Sequence, residues 1–137
     1  MTPSTSWPPA FGRLLIAILF LLSGLSKIAA PAAIIGYIGS VGLPAPQLGY
    51  AIALIVEIGG GLLLLAGYQT RIVALVLAVF TVAAALAFHH DFADQNQMIH
   101  FLKNIAITGG LIQVASFGAG SLSLDARLGR TAPKSVA

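Results

Sequence analysis

The chain has 137 residues and a net charge of +3, with 58% hydrophobic and only 8% charged residues, where a soluble domain carries about 25% charged. A core of this size cannot hide that much apolar surface from water, so the solvent of this chain is lipid. The basic residues stand at segment ends and form no stripe, which argues against nucleic acid, and the absence of cysteine excludes disulfides, thiol redox chemistry and iron–sulfur clusters held by thiolates.

A bilayer core takes roughly 20 helical residues to cross. Residues 1–10 contain Pro3, Pro8 and Pro9 and read as an irregular tail, with Trp7 suited to the membrane interface. The first span covers about 11–30 and is stopped by Pro31. Its apolar run 14–25 has the length of a signal-peptide core, and Ala30-Pro31-Ala32 loosely resembles a cleavage site. Lys27 stands where such a site is neutral, so the segment reads as an uncleaved span. Residues 32–45 are apolar but interrupted by Gly36, Gly39, Gly42 and Pro44, and predict a short helix or re-entrant piece at the outer interface.

The second span covers about 46–66, with Pro46 suited to its first turn and Gly67 to its C-terminal cap. The link 67–70 is tight, so the third span, about 71–90, turns straight back. A polar loop follows at 90–96. The fourth span, about 97–117, ends at Gly118-Ala119-Gly120, and 121–137 reads as a polar, basic, partly disordered tail. The expected fold is all-α: a four-helix transmembrane bundle, with a short interfacial helix between the first and second spans. The expected organisation is a tail at 1–10, a membrane domain at 11–120 and a tail at 121–137. Arg13, Arg71, Arg127, Arg130 and Lys134 fall on one side, and Lys27 and Lys103 fall toward the other with Asp91 and Asp94. Basic residues are retained on the cytoplasmic side, which predicts both termini there in a bacterial inner membrane. The primary partner is the lipid bilayer.

Glu57 lies about ten residues into the second span, hence about 15 Å deep. An ionised carboxylate there is costly, so it must be paired, protonated or turned to water. Gly59-Gly60-Gly61 beside it allows a close helix approach. Two readings stay open: a structural contact between helices, or a ligand or proton site. Lys27 and Lys103 lie at compatible depth as partners; alternatively each snorkels to the headgroups. Arg13 and Gly24 share a helix face with Lys27, and Tyr50 shares one with Glu57. In the fourth span Gln97, His100, Lys103, Asn104 and Thr108 form a polar side. The site candidates are therefore Lys27, Tyr50, Glu57, His89, His100, Lys103 and Asn104. His89, His90, Asp91, Asp94 and His100 carry metal-binding side chains, but their spacing matches no metal motif, and the simpler reading is a wet interfacial loop.

The order and spacing of several short motifs resemble the DoxX family of small bacterial membrane proteins. They are Arg13 with Gly24-Leu25-Ser26-Lys27, Gly42-Leu43-Pro44-Ala45-Pro46, Glu57-Ile58-Gly59-Gly60-Gly61, the turn from Gly67 to Thr70-Arg71, His89, Lys103-Asn104, Gly118-Ala119-Gly120 and Ser123-Leu124-Asp125. The resemblance covers about 13–125. It implies a four-helix inner-membrane protein. Some members are similar to subunits of thiosulfate:quinone oxidoreductase in sulfur-oxidising archaea, and others are associated with oxidative-stress or thiol-handling membrane complexes. The first expectation is a partner or assembly subunit of a membrane-associated, redox-linked complex. The second is a quinone-binding oxidoreductase subunit, with Lys27, Glu57, His89, Lys103 and Asn104 around a polar cavity and electrons supplied by a partner or a bound metal. The third is a small-solute transporter, which usually shows two related halves that this chain lacks.

Overall fold

The computed structural model describes residues 7–129. Six α-helices follow in chain order: α1 Trp7–Ala29, α2 Pro31–Ser40, α3 Pro46–Ala66, α4 Thr70–Phe88, α5 Gln95–Phe117 and α6 Leu124–Arg127. α1, α3, α4 and α5 have 23, 21, 19 and 23 residues and are apolar enough to cross a membrane. At 1.5 Å per residue they run about 28–35 Å, which matches a hydrocarbon core of about 30 Å. The bundle turns much of its apolar surface outward. Leu22, Ile55, Val79 and Phe117 are all exposed, as a lipid-facing surface requires.

α1 begins at Trp7, earlier than the irregular tail expected from the sequence allowed. Pro8 and Pro9 are tolerated because the first turn of a helix has no intrahelical use for their missing N–H groups. α2 starts on Pro31 and forms the short helix between the first two spans. α3 ends on Gly67, whose φ of +72° makes the left-handed cap. α5 starts behind Asp94, whose side chain accepts from the N–H groups of Asn96 and Gln97.

The interior is narrow and built from small residues and a few large ones: Ala17 and Phe20 of α1, Leu64 of α3, Ala74 and Leu77 of α4, and Leu111 of α5. In a membrane, close helix approach replaces the hydrophobic effect as the source of association. Gly24 shows how close the approach is. A Cβ there would stand 2.5 Å from Cγ1 of Ile58 on α3. α5 packs chiefly on α4 and touches α1 only sparsely.

At the end of the bundle that carries the start of α1, the segment after α5 folds back onto the helices. Arg13 is 2% exposed. Its Nε donates to the carbonyl of Ala119 at 3.1 Å, its Nη1 to those of Leu64 at 2.8 Å and Leu65 at 3.2 Å, and its Nη2 to that of Leu122. Buried Asp125 accepts from the N–H groups of Gln69 at 2.8 Å and Thr70 at 2.9 Å, at the start of α4. Its own N–H donates to the carbonyl of Gly67 at 2.8 Å. The partly disordered tail expected from 121 onward is therefore a clasp held at Leu122 and Asp125, with 127–129 exposed beyond it. The rest of that expected tail, 130–137, and residues 1–6 lie outside the described residues.

Candidate functional site

Glu57 occupies the middle of a π turn, Ile55–Gly59, inside α3. Such a turn inserts an extra residue into the helix and re-aims the side chains around it, and it often marks a functional site. Here it buries Glu57 to 5% exposure and points the carboxylate at α1. The Lys27 ammonium lies 3.0 Å from Oε2 and donates to Oε1 at 3.1 Å. Ser23, one turn before Lys27, donates its hydroxyl hydrogen to Oε1 at 3.0 Å and accepts from the ammonium at 2.8 Å. Oε1 thus takes the directed hydrogen bonds, while Oε2 is held by charge proximity to Lys27 without one. Behind the pair, the Tyr50 hydroxyl donates to the carbonyl of Lys27 at 2.9 Å and fixes the end of α1 against α3.

The pair stands on the wall of a cavity of about 570 Å³ between the helices, within the usual range for small-molecule sites. Most of its lining is apolar. Ser23, Lys27, Glu57, Thr81, His89 and Asn104 supply the polar groups apart from Tyr37 at its edge. Asn104 donates weakly to the carbonyl of Thr81 at 3.4 Å, which ties α5 to α4 here. α2 forms the roof, where Tyr37 stacks on Phe88 with ring centroids 5.3 Å apart. Tyr37 and Leu43 line the cavity and are themselves exposed, so it opens to the outside of the bundle beside α2.

Four of the residues singled out from the sequence therefore line one space: Lys27, Glu57, His89 and Asn104. Tyr50 supports it from behind. His100 is exposed and reaches the cavity only through His89, on which its ring stacks at 5.0 Å. Burial holds the His89 imidazole below its ordinary pKa, and His100 adds to the effect. Lys103 stands apart, exposed in a groove between α1 and α5. The expected polar side of α5 is split: Asn104 turns to α4, and Lys103 turns away. His90, Asp91 and Asp94 are exposed, with Asp94 engaged as a helix cap. Among the described residues no three His, Asp or Glu side chains converge as metal ligands would. The sequence reading missed Ser23 and Thr81. Ser23 was findable, because it lies four residues before Lys27 and so on the same helix face; Thr81 carried no such signal.

The DoxX family pattern matches residues 9–90, from α1 through α4 and on to His90. This chain belongs to the DoxX family. It is an integral membrane protein, similar to two inner-membrane proteins of Escherichia coli (strain K12). It is 37% identical to YqjF over 86% of this chain and 89% of YqjF, and 31% identical to YphA over 84% and 86%. It is also 38% identical, over 54% of each chain, to a Bacillus subtilis (strain 168) protein named "Putative oxidoreductase CatD". No solved structure matches the chain. The family match includes Lys27, Tyr50, Glu57 and His89, whereas Asn104 and Lys103 lie beyond it.

Proposed function

We propose that this DoxX protein is the ligand-binding membrane subunit of a redox-linked complex and takes a quinone-class molecule into the cavity between its helices. The observation that carries this reading is the Lys27–Glu57 ion pair on the wall of an otherwise apolar space. A quinone ring is flat and apolar, with carbonyl oxygens that accept hydrogen bonds. Lys27 and the amide of Asn104 are donors on the lining. Reduction to a quinol consumes two electrons and two protons. Glu57 and His89 are the lining groups suited to relaying protons, and the electrons come from a partner protein. The name of the Bacillus subtilis relative supports a redox association. The relatives named as inner-membrane proteins support the same compartment here. The excess of Arg13, Arg71 and Arg127 at the clasp end supports cytoplasmic termini, and in that orientation the cavity faces the periplasmic half.

The test is to purify the protein in mild detergent, extract it with organic solvent and identify the bound molecules by mass spectrometry, beside an Ala84→Phe variant that fills the cavity wall. A quinone retained by the natural protein and lost from the variant is the expected result. Equal retention by both, or none by either, defeats the reading. Recovery of a stable protein partner with no small molecule favours the assembly-subunit role instead.

A further inference from the structure

Because α5 leans on α4, a second space opens between α1 and α5, separated from the first cavity by Leu19 and Ile107, which line both. It is a groove of about 410 Å³ lined by Leu15, Ile16 and Leu19 of α1 and by Lys103, Ala106 and Ile107 of α5. Lys103 is its one charge. It is exposed and has no hydrogen bond or ion pair among the described residues. Glu57 is already held by Lys27 and Ser23.

Depth arranges the groove in a definite order. Lys103 lies eight residues into α5, hence about 12 Å below the start of that helix, and its stem can carry the ammonium back toward the headgroups. Ala106 and Ile107 lie a turn deeper, level with the middle of α1. A cation near the surface with apolar side chains beneath it matches one membrane leaflet, where a phosphate stands above an acyl chain. A second copy of this chain offers acidic groups only in its interior or outside its spans. Its four acidic residues are Glu57, Asp91, Asp94 and Asp125. Glu57 and Asp125 are buried, and Asp91 and Asp94 belong to the loop before α5 or its cap.

We propose that this groove binds an anionic phospholipid, with the phosphate on Lys103 and an acyl chain lying along Leu15, Leu19, Ala106 and Ile107. The site is independent of the quinone reading. An ammonium in a medium of low dielectric gains far more from a phosphate than it would in water, and anionic lipids are attracted by basic residues near the membrane surface.

Native mass spectrometry of the detergent-purified protein tests this with added phosphatidylglycerol and phosphatidylcholine of the same acyl chains. The natural protein is expected to retain phosphatidylglycerol preferentially. Lys103→Met should weaken that binding about five- to tenfold, Lys103→Arg should keep it, and Ala106→Trp, which blocks the groove, should weaken binding of both lipids. Because Lys103 is exposed, the variants are expected to keep their helical thermal transition. If Lys103→Met loses it, comparing Lys103→Gln with Lys103→Arg gives the same readout. Equal binding of the two lipids, a preference that survives loss of the ammonium, or a protein helix occupying the groove in their place overturns the proposal.

Discussion

A lone carboxylate at the depth of Glu57 would cost roughly 2.5 kcal/mol or more to insert, and Lys27 and Ser23 answer that cost with one shared polar cluster. Breaking a buried pair is worse than never having it, because the remaining charge is left uncompensated. Glu57→Gln should therefore lower stability by about 3 kcal/mol. Adding Lys27→Met should return part of the loss, since no ammonium then needs an anion. Thermal unfolding in detergent measures both, and simply additive losses would show that the two residues do not act as a pair. His89 gives a pH signature. Its pKa is depressed in the fold by burial and by His100, so the unfolded chain binds its proton first. Stability contributed by neutral His89 is complete above the ordinary imidazole value of about 6.5 and is lost as pH falls below it. Melting temperatures between pH 7.5 and 5 should show a decline that is smaller in His89→Gln; an equal decline in both would assign the effect elsewhere. Hydropathy gave the depth of Glu57 and the need for a partner, a proton or water. It could not choose between Lys27 and Lys103, because both lie at similar depth and only the angle around each helix separates them.

The four spans, the interfacial helix and the Gly67 cap were legible because long apolar runs, prolines and glycines mark them directly. The π turn was not legible. It shifts the backbone register by one residue without changing composition, so no periodicity announces it, yet it is what directs Glu57 to α1. The start of α1 was placed late because prolines read as breakers unless they are recognised as first-turn residues. The contact of α1 with α3 depends on Gly24. Gly24→Leu should wedge these helices apart and cost about 2 kcal/mol, in the range of overpacked cores. Gly109 of α5 is a control, because a Cβ there meets nothing within 4 Å. Gly109→Ala should leave stability unchanged or slightly raised, since alanine is the better helix former. Melting curves of the two variants separate crowding from any general sensitivity to losing a glycine.

At the scale of the whole molecule, four spans put the α3–α4 turn and the α4–α5 loop on opposite faces of the membrane. Reporter fusions after Tyr68 and after Gln95 should give cytoplasmic and periplasmic signals respectively, and one signal at both would break the four-span arrangement. Charge counting located the basic end of the bundle but not the use made of it, because a pattern of charges does not reveal which distant segments meet. Arg13 was counted with the cytoplasmic charge and put on one helix face with Gly24 and Lys27, and the structure buries it on four carbonyls drawn from two distant parts of the chain. Those partners become available at different times. Leu64 and Leu65 are synthesised some fifty residues after Arg13, while Ala119 and Leu122 follow more than a hundred residues after it. During synthesis the guanidinium therefore waits half satisfied beside the first three spans, and an incompletely bonded buried cation is strongly unfavourable. The segment that follows the fourth span is then the one that completes the bonding of a residue in the first, so the bundle reaches its final stability only when that segment has packed onto α1.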